Sequence, residues 1–402
     1  MTGNETGFSL PQRELRMVAT KLYGLDWWPE VSSDPYQECA DALQEAGVNV
    51  VLAQNYLDPL PGSDVEQGSP PVGYDDRWLR EKLRSRGIKI FEATAVFFQP
   101  RAYDSLPHLR PVDAAGAPQP RVDWYVGLCP SSEAYIEERA KLLQRVARQL
   151  EPDGLFLSFI RFPGFWETWV PGVDRGKIPE YCYCQRCLSR FSQETGHRVP
   201  RDAPSAAALL QGELRAAWTG WKCNLVAGVV GHLRQAVREV IPDIELMVNL
   251  VPFSKEELGG AVEELLGQRV ESLTPFVELF EVMVYHQILK RDPRKWIPKL
   301  VADLRSRTDR SLVPCLQVRP TYLEGHHASA RRRSMIGPEE FESCVEAVQS
   351  SGAGNIATYH WTDLLLEDKA SAGAFSAALR GFVSGEANHG TAETAPNPEA
   401  DN

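Results

Sequence analysis

Eight short apolar runs, each separated from the next by a stretch with helical spacing, constrain this chain more than any other feature. The runs are "MVATKLYGL", "VNVVLAQNY", "IKIFEATAVFF", "GLFLSFIRF", "IELMVNLVPF", "LFEVMVYH", "LVPCLQV" and "GNIATYHW". Between the third and fourth, "SSEAYIEERAKLLQRVARQLEPDG" repeats apolar residues at Ile136, Ala140, Leu143, Ala147 and Leu150, after a Ser start and before a Pro-Asp-Gly stop. "DPYQECADALQEAG", "RWLREKLRSRG" and "PEEFESCVEAVQSSGAG" behave alike. Strand runs alternating with helices predict a (β/α)₈ barrel of the α/β class. An open doubly wound sheet is the rival, but no Gly-rich phosphate loop follows the first run. The expected layout is an N-terminal segment over 1–14, the barrel over 15–385, and a polar, disordered tail over 386–402.

Two connections exceed what a plain barrel needs. One runs from Gln99 to Pro130; the other is an insertion over 163–212 after the fourth run. Both follow strands, on the side where barrels carry their sites. The net charge of −11 argues against nucleic-acid or anionic-membrane partners, which reward a basic surface. No apolar run is long enough to span a bilayer and the first residues do not read as a secretory signal, so a cytoplasmic protein is expected. A homo-oligomer is left open.

The strand ends gather polar chemistry. The first leads to Asp26 and Trp27, the second to Asn55, and the third carries Glu92. The fourth supplies Ser158, Arg161, Trp166 and Glu167, and the fifth Asn249. The sixth gives Glu281, Tyr285 and His286, the seventh Gln317, and the eighth His360, Trp361 and Asp363. Aromatic faces, planar polar groups and carboxylates suit a carbohydrate, with two carboxylates available for acid/base or nucleophilic cleavage. Glu281 is the leading nucleophile or base and Asp26 its rival. The alternation of side chains along a strand forbids Ser158 and Arg161 from both facing the mouth unless a bulge intervenes. The Arg-rich "EGHHASARRRS" reads most simply as a solvated face.

The chain's eight cysteines do not resemble a disulfide framework. Cys182, Cys184 and Cys187, spaced C-x-C-x-x-C, can share one tetrahedral ion. Cys129 is the first candidate for a fourth ligand and His197 the second. Four thiolates leave no open position, so the expected zinc is structural. An iron–sulfur cluster fits the spacing less well.

The segment "DGLFLSFIRFPGFWE" resembles the fourth strand of a group of uncharacterised glycoside-hydrolase-like barrels, whose pattern is closer to "DGIFLDFIRFPG"; "VMVYHQIL" resembles their sixth strand. Where that pattern has Asp, this chain has Ser158. The "CYCQRC" run with a cysteine from the preceding long loop is similar to family 42 glycoside hydrolases, the β-galactosidase barrels. That resemblance implies a structural zinc pinning the active-site loop, with the acid/base Glu shortly before it, here Glu167. The family's Asn-Glu pair is absent, since Trp166 precedes Glu167.

The expected function is therefore cleavage of a glycosidic bond by two carboxylates, with Glu167 as general acid/base. A catalytically reduced, carbohydrate-binding barrel is the alternative, favoured by Ser158. A metal-dependent hydrolase or lyase is disfavoured because the first run carries no H-x-H.

Overall fold

The computed structural model describes residues 16–23, 35–59 and 76–384. Eight parallel strands close a barrel in sequence order: β1 (Val18–Leu22), β2 (Val50–Ala53), β3 (Lys89–Ala95), β4 (Gly154–Ser158), β5 (Glu245–Leu250), β6 (Leu279–Val284), β7 (Ser311–Gln317) and β8 (Ile356–Tyr359). Closure runs through Val18↔Ile356 on one side of β1 and Ala19↔Val50 on the other. The strands are nearly continuous apolar runs because both faces are covered, by helices outside and by packed side chains within. Each strand stops short of the apolar run that foretold it. The surplus residues, such as Val96–Phe98 and Phe159–Phe162, stay largely buried in the loops at the mouth.

Parity on each strand decides which residues reach the interior. Lys21 of β1, Phe156 of β4, Glu281 of β6 and Cys315 of β7 point inward, since the Lys21 ammonium lies 3.0 Å from Glu281 and 5.3 Å from the Phe156 ring. Counting on by two brings Tyr23, Ser158, Met283 and Tyr285 to the mouth. Tyr359 of β8 joins them, its ring centre 5.3 Å from that of Tyr285. Glu278, by contrast, marks the opposite end of the barrel, bonded to Arg234 and to the Leu246 amide.

The insertion after β4 carries the helices Gln185–Thr195 and Ala203–Gln211 and then joins the 24-residue helix Arg215–Arg238. It is fastened by a buried ion pair. The Lys222 ammonium, fully buried, donates to Glu180 Oε1 at 2.6 Å, and the same carboxylate accepts from Trp218 Nε1 at 3.1 Å and Arg215 at 3.0 Å. Burial pulls the Lys222 pKa below its ordinary value, while Glu180, despite its own burial, is held low by that ammonium. Such a pair fixes geometry more than it adds stability.

Candidate active site and cysteine centre

The fourth strand delivers its residues through a break in alternation. Ser158 shares the inward face of Phe156, and its hydroxyl donates to the Thr94 carbonyl at 3.2 Å. Phe159 then takes a left-handed φ of +53°, a conformation a non-glycine residue seldom adopts. The turn redirects the chain so that Arg161 also reaches the mouth, its guanidinium 5.1 Å from the Phe159 ring centre and 5.8 Å from that of Tyr125. Arg161 is buried, donates to the Gly164 carbonyl at 3.2 Å, and keeps Nε without a partner.

Glu167 follows on the short 3₁₀ turn Trp166–Thr168. It is 7% exposed, and its Oε2 has no hydrogen-bond partner. Burial, opposed only in part by the cations Arg161 and Arg332, pushes its pKa up to about 7. Arg332 fixes the main chain here: its guanidinium donates to the carbonyls of Glu167 at 2.8 Å, Ile288 at 2.7 Å and Tyr322 at 3.3 Å. One side chain thus ties together the loops after β4, β6 and β7. Burial, with the charge of Glu167 adding to it, raises the pKa values of Tyr125, Tyr322 and Tyr359.

Glu281 has a different setting. It is 0% exposed within the barrel, facing Lys21 at 3.0 Å; the angles make this an ion pair without a well-directed hydrogen bond, so both carboxylate oxygens lack one. Lys21 also donates to the Tyr285 hydroxyl at 3.0 Å and lies 5.4 Å from the Tyr359 ring centre. Burial alone would lower the Lys21 pKa, yet Glu281, together with Cys315 and Tyr23, outweighs it and holds the ammonium above its ordinary range. Glu281 is thus a neutralised group beneath Tyr285 rather than a carboxylate open to the mouth.

The remaining expected site residues divide. Asn249 lies in the upper interior, its Nδ2 3.5 Å from Met283 Sδ and its Oδ1 unpartnered. Trp166 is buried against Tyr285 and Phe253. Gln317 is buried and spent on knitting loops, bonding Gln287, Arg319 and the Ile288 amide. His360 stands at the rim, 3.6 Å from Asp363, and burial keeps its pKa below the ordinary value. Trp361 is fully buried and braces β1 by donating to the Tyr23 carbonyl at 2.6 Å. Asn55 is buried, accepting from the Asp58 amide within its own loop.

Two residues face away from the mouth. Glu92 points to the helix layer and pairs with Arg80 of the helix Asp76–Ser85, and His286 bonds Glu340 at 2.7 Å beside Cys344, both on the helix Pro338–Ser350. Strand parity explains both: Glu281, Met283 and Tyr285 alternate inward, which turns His286 outward. Asp26 and Trp27 lie outside the described residues.

Sequence reading passes over Lys21, Trp124, Tyr322 and Arg332. A lysine within an apolar strand is a signal in itself, since burial requires a partner. His327 and Arg332, within the stretch expected to be a solvated face, are 7% and 8% exposed. A run of arginines does not reveal that one of them is surrounded by carbonyls.

Cys129, Cys182, Cys184 and Cys187 form one group, their sulfurs all within 4.8 Å of one another. Cys129 Sγ lies 3.4 Å from Cys187 and 3.7 Å from Cys184, and the Val112 amide points at Cys182 Sγ at 3.3 Å. Four sulfurs around zinc at about 2.3 Å stand roughly 3.8 Å apart, so the donor set fits a tetrahedral ion. None of the four is in a disulfide. His197, the other candidate ligand, is exposed and stacks on Phe191.

No family model and no curated protein matches this chain. Solved structures do. The glycoside hydrolase domain of PgaB (BpsB) from Bordetella bronchiseptica aligns with a TM-score of 0.66 at 17% identity, over 90% of this chain and 98% of that one. Gan42B, a family 42 β-galactosidase from G. stearothermophilus, aligns in a catalytic-mutant form at 0.65 and 13%, over 93% of this chain and 57% of that one. The α-L-fucosidase isoenzyme 2 of Paenibacillus thiaminolyticus aligns at 0.56 and 16%, over 91% and 49%. This chain spans about half the length of the latter two and nearly all of the PgaB domain. The likeness is one of fold: a glycoside-hydrolase-like barrel.

Proposed function

We propose that the protein is a glycoside hydrolase in which Glu167 protonates the glycosidic oxygen. The observation that carries this reading is the setting of Glu167: a buried carboxyl, one oxygen unpartnered, with burial raising its pKa to about 7. A general acid works best when its pKa lies near the operating pH, and desolvation is the usual way to move a carboxyl there. Arg161 supports the same role, because its charge steadies the carboxylate left after proton transfer.

For the second carboxylate we favour Asp26, which follows Tyr23 by three residues. Glu281 is assigned to holding Lys21, and through it the Tyr285 hydroxyl. Separation of the Asp26 and Glu167 carboxyls by about 5–5.5 Å would give retention and about 6.5–9.5 Å inversion. Hydrolysis of aryl glycosides and natural oligosaccharides by the parent, Glu167→Gln, Asp26→Asn and Glu281→Gln proteins tests the assignment. Activity unchanged in Glu167→Gln would overturn it.

A second reading, a binding-only barrel, is favoured by Ser158, an inward hydroxyl at the end of β4. It expects no hydrolysis in the parent and its appearance in Ser158→Asp.

The four-cysteine group is proposed to hold a structural zinc, whose contribution when bound is to cross-link the loops that carry its ligands. One equivalent of zinc in protein purified without chelator is expected, and less than about half would remove the idea. Reduced thiols in this number also favour the cytoplasm over an oxidising compartment. None of the helices in the described residues is long and apolar enough to cross a membrane.

A further inference from the structure

Leading into the turn that carries Glu167, the loops after β3, β4 and β7 assemble an aromatic corner. Phe98, Tyr125, Phe159 and Phe165 form its floor, with Tyr125 inclined by only 24°, 22° and 30° to the other three. Against this floor stands Trp124, meeting Phe98, Tyr125, Phe159 and Phe165 at 77°, 81°, 83° and 72°. No floor ring lies parallel to the indole, so none stacks on it, and Trp124 is 37% exposed where most of its neighbours are buried.

The indole is held in place. Val122 and Tyr125 pair across a tight turn, exchanging amide bonds of 3.0 and 2.9 Å, and Asp123 accepts a left-handed φ of +55° at its corner. Both corner residues are then tied to the β7 loop: Asp123 to His327 at 3.2 Å, and Trp124 Nε1 to the Tyr322 hydroxyl at 3.0 Å. A large apolar ring that is exposed yet fixed by a dedicated hydrogen bond has lost its rotamer freedom before any ligand arrives. Such preorganisation strengthens binding rather than folding. Geometry puts the indole near Glu167: the Trp124 ring centre is 5.9 Å from that of Phe165, two residues before Glu167, and Arg332 joins the carbonyl of Glu167 to that of Tyr322, whose hydroxyl receives the indole bond.

We infer that Trp124 is the platform of a saccharide subsite beside Glu167, stacking on a pyranose that presents a face of C–H bonds. The inference rests on the proposed function and adds to it the residue that grips the sugar next to the bond cleaved. Its flat face selects a ring with an uninterrupted apolar side, whatever the sugar's hydroxyl pattern on the edge.

The test separates binding from cleavage. In the Glu167→Gln background, calorimetry measures binding of cellotetraose, chitotetraose and β-1,4-linked galactotetraose to otherwise unchanged protein and to Trp124→Ala, Trp124→Phe and Trp78→Ala. At least one oligosaccharide should bind; Trp124→Ala should weaken it by about ten-fold, the scale of one aromatic contact. Trp124→Phe should lose less, and Trp78→Ala, exposed on the helix Asp76–Ser85, nothing. Binding indifferent to Trp124, or binding of none of the three, overturns the inference. Trp124-dependent binding without hydrolysis by the parent protein upholds the subsite while sinking the catalytic reading. Glu167-dependent hydrolysis with binding indifferent to Trp124 does the opposite.

Discussion

Glu281 and Glu167 are both buried acids of one barrel, and they differ in what surrounds them. Glu281 sits on a strand, in the interior, with an ammonium 3.0 Å away. Glu167 sits on a short turn in a loop, buried, with no hydrogen-bond partner at Oε2 and only the charges of Arg161 and Arg332 to offset its burial. A charge met by its counter-charge becomes part of the scaffold. A carboxyl denied water and left without a close partner keeps its proton to about neutral pH and stays available to give it away.

The comparison breaks most sharply in kinetics. Glu167→Gln should lower turnover of any substrate found by about 10²–10⁴-fold, the usual range for losing a general acid, with the fold intact by circular dichroism. Comparable loss in Glu281→Gln with undiminished stability would erase the distinction.

Next in size is stability. Lys21→Met strands the Glu281 charge and should cost about 3–5 kcal/mol in urea unfolding, whereas Lys21→Met with Glu281→Leu should recover most of it. Equal losses in the single and double variants would mean that the pair is not coupled.

The third expectation is pH dependence. The folded-state pKa of Glu167 is raised from 4.5 to about 7, so the native protein resists ionisation that the unfolded chain undergoes freely. This penalty is absent below about 4.5 and grows until about pH 7, reaching at most about 3 kcal/mol. Glu167→Gln should therefore gain thermal stability over the parent at pH 8 and lose that gain at pH 4. The rate of the parent should fall as pH rises through about 7. A stability difference independent of pH would contradict the buried, protonated carboxyl.

Smallest is the effect of Arg332→Lys, which keeps the charge but loses the fork that holds three loops. A loss of about 1–3 kcal/mol is expected, from carbonyls left without donors, together with a shift of the pH limb assigned to Glu167. An unmoved limb would show that the clamp acts on stability alone.

Much of the fold could be read in advance because burial on both faces writes each parallel strand as an apolar run, and each of the eight runs coincides with a strand to within a few residues. Strand lengths were less legible, since residues such as Val96 and Phe162 are buried in loops and look no different from strand. The cysteine group was legible down to Cys129, because thiols at ligand spacing are scarce and specific. Facing was the weak point. Glu92 and His286 occupy strand ends yet turn to the helices, and one sequence does not tell which parity of a doubly buried strand points inward. Arg161 was ambiguous for the opposite reason, since the left-handed turn at Phe159 has no glycine to announce it.

Cys129 lies five residues beyond Trp124, while its three companions lie in the insertion that begins just before Glu167. Barrel loops ordinarily diversify one at a time, each exchangeable because its neighbours ignore it. Here neither segment is a free cassette: replacing the β4 insertion alone would strand a thiol on the β3 loop, and replacing the β3 loop alone would leave three thiols without the fourth they pack against. Grafting this mouth onto another barrel would require moving both segments as one inheritable unit.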